Sequence, residues 1–464
     1  MSWLLPGLVV WPLVFGALAA VFNARWLAFI GAAGVGLMGL ALVQLPYGDW
    51  MLGGWASPLG IGWRLDFWSQ GMLVLTALVG LMVSLYAWFD RTLNQHFWVL
   101  WLGAWGAMNA LYLAADLFNV YVTLELLGLS AVAMVALSGK VQALQAAMRY
   151  LLVSLLGSML FLMAIALLYG QYTVLDMRAL ADVMQPGLAM SLALAFMSAG
   201  LLAKTALFPL HAWLPLAHGR APAAVSAILS ALVIKAAFYL LIRLWLEVFA
   251  PLQSPALIGF WLLLGSAAIL WGSWQALMTP NLKRLVAWST VAQVGYLVIA
   301  LALVASPDTP LAVKNGLLWM IIAHALAKSA MFLAAGNVQS LAGHDQLMRL
   351  GYVWHRSRMN LFAFALAGVS LAGLPISAGF LAKWWLLSLA IDHQAWWLVV
   401  LIILGGLLTA AYVVRVLNIA VTAQSQPQHL HELAVERSWI ALSLALLAIV
   451  TGLGGQWFWG GLNG

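Results

Sequence analysis

The sequence predicts an all-α polytopic membrane protein of about 14 transmembrane helices. Three observations carry that prediction. Hydrophobic residues make up 65% of the chain, against roughly 45–50% in soluble domains. Charged residues make up 7% of the 464, too few to coat a soluble fold of this size. Apolar runs of roughly 17–25 residues, the length that crosses a hydrocarbon core as a helix, recur from end to end. The 26 Trp suit the same setting, because Trp favours the membrane–water interface. Disorder needs low hydrophobicity and high charge, so it is excluded. Helices rather than barrel strands follow from the length of the runs and from the need to satisfy every backbone group within the segment.

The first run, 3–22, has no basic region ahead of it and leads straight into 27–45, so it reads as a span rather than a cleaved signal. Segments 69–88, 97–114, 117–138 and 147–170 follow, with Glu125 deep in 117–138. Loops are short, with 171–188, on the outer side, the exception worth naming. There Thr173 with Asp176 resembles a capping box, and Met177, Leu180, Val183 and Met184 would line one face of a short interfacial helix. Segment 189–208 carries Lys204 and runs into Pro209, His211 and Pro215, so it reads as a broken helix. Segment 224–248 carries Lys235, 257–278 and 286–305 come next, and 314–338 carries His324 and Lys328. Segment 358–390 contains Gly373-Leu-Pro375 and Lys383, a second break, and 395–421 and 438–458 complete the set. The breaks fall in the seventh and twelfth spans, five apart. Spans 4–8 (97–248) and 9–13 (257–421) therefore read as two inverted five-helix repeats, each with a discontinuous helix, within one integral membrane domain covering 1–464.

Odd-numbered loops carry 12 basic residues: Arg25, Arg91, Lys140, Arg149, Arg220, Lys283, Arg284, Arg349, Arg356, Arg358, Arg415 and Arg437. Even-numbered loops carry 4: Arg64, Arg178, Arg243 and Lys314. By the positive-inside rule the odd loops are cytoplasmic and both termini lie outside, in the cytoplasmic (inner) membrane of a bacterium. Four lysines remain inside spans, Lys204, Lys235, Lys328 and Lys383, with Glu125 the one deep acid. Each costs roughly 2.5–3.5 kcal/mol at a helix centre, which packing does not require, so these residues mark function. With no cysteine in the chain, disulfides, thiolate-held clusters and thiol catalysis are excluded. The net charge of +7 is scattered singly, which gives no nucleic-acid face. No catalytic triad, phosphate loop or metal cluster is visible, His429 and His431 being too sparse for zinc. No cofactor and no catalytic site of the chain's own are expected.

At these residues the chain resembles the antiporter-like subunits of respiratory complex I and of Mrp-type cation/proton antiporters. The resemblance covers roughly spans 3 to 13. Asp116-Leu-Phe-Asn119 through Glu125 resembles the family's acidic-helix motif, and Lys204 through Pro215, on to His218, Pro222, Ser226 and Lys235, its broken-helix signature. Asn281-Leu-Lys283-Arg284 through Ser289, Gln293, Gly295 and Tyr296 is a specific match, and His324 to Lys328 and Ala372-Gly-Leu-Pro375 to Lys383 complete it. Five motifs in order are specific where one Gly-Leu-Pro is not. One departure is Pro215-Leu216-Ala217-His218, where many relatives carry Pro-Asp-Ala-His. Asp116-Leu-Phe-Asn119 and Lys383 look more like the Mrp D-type subunit than the complex I subunits.

The resemblance implies a proton path through Glu125, Lys204, Lys235, His324, Lys328 and Lys383, with Glu125 paired to Lys204. Low dielectric disfavours a charged lysine and a nearby carboxylate restores it, so approach and separation of such a pair form a proton switch. The alternative is a static pair that fixes helix packing. His211 and His218 are further relay candidates, His211 alternatively bonding carbonyls freed at the break. Lys383 either ends the path or snorkels to an interface. Asp116 reads as a helix cap, Lys283 and Arg284 as cytoplasmic positive-inside residues, and Trp98, Trp101 and Trp105 as packing and interface anchors. Implied partners are other membrane subunits, including a second antiporter-like subunit, with protons and Na+ as the ions. The chain thus reads as the proton-translocating subunit of a multi-subunit Mrp-type antiporter. Two alternatives stay open: a subunit of a complex I-like quinone oxidoreductase or membrane hydrogenase, and the membrane half of a proton-driven inorganic-carbon uptake complex.

Overall fold

The computed structural model describes residues 3–55, 60–304, 311–422 and 430–454. All fourteen apolar segments are helical over most of their length. Eleven helices among the described residues are long and apolar enough to cross a membrane, so the chain is a multi-pass, nearly all-helical membrane protein.

Helices α1 (Leu4–Phe22) and α2 (Arg25–Ala41) form a peripheral hairpin. The loop after them is more ordered than its sequence suggested. Strands β1 (Gly48–Met51) and β2 (Gly62–Leu65) pair antiparallel, with Asp49 opposite Arg64 and Trp50 opposite Trp63. Helix α3 (Phe67–Phe89) starts at a capping box in which Asp66 and Ser69 each accept the other's backbone N–H. Then come α4 (Gln95–Leu113), α5 (Leu117–Ala136) and α6 (Val141–Tyr172). Asp116 caps α5, accepting the Asn119 N–H at 2.7 Å. The predicted interfacial helix is α7 (Met177–Val183), but its cap is Asp176, which accepts from Arg178 and Ala179. Thr173, expected to cap it, instead ends α6 in a left-handed conformation. Met177, Leu180 and Met184 are buried and Val183 is exposed.

Helix α8 (Leu188–Lys204) stops at the lysine itself, and α9 (Trp213–Arg220) resumes after Pro209. Helices α10 (Ala223–Ile228) and α11 (Ile234–Arg243) are joined by a π-helical turn at Leu229–Val233, and a second follows at Leu244–Val248. Next come α12 (Pro255–Met278), α13 (Leu282–Leu303), α14 (Leu311–Ala342) and the short α15 (Gly351–Arg356). The second break separates α16 (Arg358–Ala372) from α17 (Ala378–Asp392), and α18 (Trp396–Thr422) and α19 (Val435–Leu453) close the bundle. The Ala223–Val248 span and most of α13 and α14 are enclosed, whereas α1, α2, α6, α12 and α18 are largely exposed. Trp98, Trp101 and Trp105 are fully buried, so they are packing residues rather than interface anchors.

Candidate functional site: a buried polar axis

At the first break, α5, α6 and α8 bring Glu125 and Lys204 together. Glu125 Oε2 stands 3.9 Å from Lys204 Nζ, the far end of ion-pair range. Each partner also has its own hydroxyl. Lys204 donates to Ser154 Oγ at 3.0 Å, and Ser158 donates to the Glu125 carboxylate. Ser154 and Ser158 lie one turn apart on α6, so a single helix face serves both groups. That face comes close because α6 meets α8 glycine to glycine: a Cβ on Gly157 would stand 2.8 Å from the Gly200 carbonyl oxygen.

Where α8 ends, carbonyls lose their helical partners. Trp213 Nε1 donates to the Ala203 carbonyl at 2.9 Å and stacks on Tyr150 at 4.0 Å. His211, expected either as a relay or as a bond to such a carbonyl, meets the Pro209 backbone and stacks its ring against Phe208, while its Nδ1 has no described partner. His218 is fully buried on Phe332, with neither ring nitrogen paired among the described residues. It lies within electrostatic reach of Lys283, Lys328 and Lys235.

In the centre, Lys235 folds back along the π-helical turn and donates to the Ser230 carbonyl. Such turns are rare and concentrate at functional sites. Ser230 Oγ and Thr290 Oγ1 are 3.0 Å apart. The neighbouring Ser289 accepts from Lys328, which also donates to the Val286 carbonyl at 3.0 Å. One turn from Lys328, His324 is buried with both ring nitrogens unpaired among the described residues. Lys235 thus meets the Ser230 backbone, Ser230 meets Thr290, and Thr290, Ser289 and Lys328 converge on the Val286 carbonyl. No described side-chain contact joins Lys204 directly to Lys235.

His324 and Lys383 line one cavity of about 20 Å³ with Gln293, Tyr296 and Ser370, room for about one water. Lys383 does not snorkel. It turns into the second break and donates to the Leu371 and Ala372 carbonyls at 2.9 and 3.2 Å, with its ammonium 4.5 Å from the Tyr296 ring. These are the last carbonyls of α16, where a cation is favoured by the helix dipole as well. Gly373 makes the turn at φ +79°, a conformation that favours glycine.

Four of the described basic residues assigned to loops are buried instead, among them Arg64, which bonds Asp49 at 3.2 Å across the β-ribbon. Lys283 is buried and donates to the Ala221 carbonyl between α9 and α10. Arg437 pairs with Asp90 at 3.3 Å and donates to the Tyr86 hydroxyl at 2.6 Å. Arg243 lies in α11, bound to Asp66 and, at 3.1 Å, to Glu247. Counting charge by loop cannot separate a snorkelled arginine from a paired one. The readable signal was an acid at matching depth, Asp66 or Asp90. His429 lies outside the described residues, and the His431 backbone N–H donates to the Leu341 carbonyl.

Residues 114–409 match the family described as NADH:quinone oxidoreductase/Mrp antiporter, TM. The chain belongs to that family. NADH-quinone oxidoreductase subunit N of Desulforudis audaxviator (strain MP104C) is 34% identical over 398 residues, covering 83% of this chain and 78% of that protein. The D-type subunit of the Na(+)/H(+) antiporter of Alkalihalophilus pseudofirmus is 28% identical, covering 77% of this chain and 73% of that one. In fold, this antiporter-like chain matches one from the Mrp complex of Dietzia sp. DQ12-45-1b with TM-score 0.87 at 23% identity, over 99% of this chain and 96% of that one. A chain of the membrane-bound sulfane sulfur reductase, an archaeal respiratory membrane complex, gives 0.90 at 25% identity over the same shares. Within the matched residues lie Glu125 and all four buried span lysines, and also Lys283 and Arg243.

Proposed function

We propose that the chain is the proton-translocating membrane subunit of a multi-subunit, Mrp-type Na+/proton antiporter. The observation that carries this reading is the loose Glu125–Lys204 pair at a helix break, 3.9 Å apart with separate hydroxyl partners. A pair held this way can open without stranding either charge, as a proton switch requires. When the pair closes, Lys204 keeps its proton. When it opens, Lys204 releases the proton toward Lys235, and the Ser230–Thr290–Ser289 hydroxyls lead on to Lys328. His324 and a water in the shared cavity carry it to Lys383. His211 and His218 stand beside the first half of this path as further relays. The two interrupted helices, α8/α9 and α16/α17, support the inverted repeats 97–248 and 257–421. The Mrp assignment rests on the D-type antiporter relatives and on Lys383 in α17.

A redox assembly is the second reading, favoured by the 34% identity to a quinone oxidoreductase subunit N. In both readings the axis is the same and the driving partner differs. The test uses the whole complex in vesicles. Glu125→Ala and Lys204→Ala should abolish transport while the complex still assembles, and Glu125→Asp should retain part of it. Wild-type proton flux in Glu125→Ala would remove the switch. Co-purified partners separate the two readings: small multi-spanning proteins for the antiporter, iron–sulfur or nickel proteins for the redox complex.

A further inference from the structure

Helix α11 carries a second polar line that the axis above does not use. Lys235, Tyr239 and Arg243 are spaced i, i+4, i+8, and Glu247 follows four residues later, so all four lie along one side of the helix. The first three are buried, and the line ends at the β-ribbon. The Tyr239 hydroxyl donates to the Tyr112 carbonyl at 2.8 Å. The Thr76 hydroxyl faces that of Tyr112. Both are buried, and apart from each other neither has a described hydrogen-bonding partner. A buried hydroxyl pair with no further partner ordinarily bonds water as well.

At the ribbon end the line reaches an ionic cluster. Arg243 is held by Asp66 and Glu247. Glu247 lies 3.6 Å from Arg64, which bonds Asp49 across the ribbon at 3.2 Å. Asp66 and Glu247 keep partly exposed side chains, 23% and 31%, whereas Arg243 keeps 1%. The arginine therefore stands between the buried hydroxyls and two carboxylates that touch solvent.

We propose that this column is a proton-release route from Lys235 to the ribbon face, and that Arg243 is its gate. The inference rests on the reading of Lys235 as a proton-carrying group. Under the predicted orientation the ribbon face is the outer one. Release breaks an N–H bond of the Lys235 ammonium and forms an O–H bond on water beside the Tyr112, Thr76 and Tyr239 hydroxyls. Each oxygen passes on a proton in turn, the last going to the Asp66 or Glu247 carboxylate and then to solvent. Arg243 keeps its own proton and cannot relay. Held by Asp66 and Glu247 it closes the column between the hydroxyls and solvent, and the route opens when those ion pairs break and the side chain swings aside. An antiporter-like subunit with such a gate has an outlet in its first half, separate from Lys383.

The experiment uses the assembled complex in vesicles loaded with a pH-sensitive dye. The double variant Arg243→Met/Asp66→Asn removes one charge of each sign. It should raise the passive proton leak by roughly tenfold or more, and adding Lys235→Ala should abolish that leak. Tyr239→Phe keeps the ring and removes the hydroxyl. A positioned proton-transfer group is worth roughly 100-fold, and water standing in recovers part, so driven flux should fall by roughly tenfold. A leak that persists in Lys235→Ala overturns the proposal. So does wild-type flux in Tyr239→Phe, which also decides the matter if the charge variants fail to assemble. Wild-type flux in Lys235→Ala alone would instead remove the role of Lys235, a failure distinct from that of the gate.

Discussion

Lys328 and His324 share one helix face, yet their surroundings differ. Lys328 is anchored by the Val286 carbonyl and the Ser289 hydroxyl, whereas both ring nitrogens of His324 face the cavity region without described partners. The second half of the axis holds His324, Lys328 and Lys383 and no acid deep in its spans. Three cationic groups in low dielectric repel, so at least one rests neutral. A neutral Lys328 accepts the proton arriving past Ser289. Lys328→Arg should then block proton flux nearly as completely as Lys328→Ala, because a guanidinium stays protonated. His324→Ala should shift the pH optimum and leave flux measurable. Flux against pH in vesicles holding the whole complex checks both, and wild-type flux in Lys328→Arg would make that residue a fixed charge.

Two helices test how the elements hold these residues. The close approach of α6 and α8 at Gly157 and Gly200 sets the distance between the Ser154/Ser158 face and Lys204. Gly157→Ala must push the helices apart, at about 1–3 kcal/mol for an overpacked interface. Thermal unfolding should drop and proton flux with it, whereas a substitution at the exposed Met159 on the same helix should change neither. The start of α3 depends on pH. Burial alone pushes the Asp66 carboxyl up, but the charge of Arg243 and the hydrogen bonds from Ser69 outweigh it and hold it below the usual carboxylate range. A lowered folded value means stability that is present above the unfolded value, about pH 3.9, and lost as pH falls through the lower folded value. Asp66→Asn should therefore lower the unfolding temperature at pH 7, and by progressively less as pH falls below the usual carboxylate range.

Large apolar side chains remain exposed across the bundle, among them Leu152, Leu156 and Met163 on α6 and Trp396, Trp397 and Leu407 on α18. Lipid covers such faces, and so do neighbouring membrane subunits. The chain purified alone and reconstituted should show little coupled Na+/proton exchange, and exchange at the rate of the full complex would contradict the multi-subunit reading. Orientation has its own check. A reporter fused after Gly464, outside the described residues, should sit away from the cytoplasm, and a strong cytoplasmic signal would mean an odd error in the span count.

The apolar runs alone determined that this is a multi-pass helical membrane protein, because length and hydropathy are local properties that lipid reads directly. The lysines inside spans were legible for the same reason: their insertion cost depends on depth along one helix. Which other groups they meet was not legible. Lys383 could have reached either interface, and only the packing of α16 against α17 turned it to the Leu371 and Ala372 carbonyls. Lys283 and Arg243 read as loop charges until α9, α10 and α3 closed around them. The β-ribbon escaped notice because its two strands have only four residues each and pair across a loop. Burial and pairing arise between segments distant in the chain, so no window of sequence contains them. The tertiary structure alone decided which charges became buried partners.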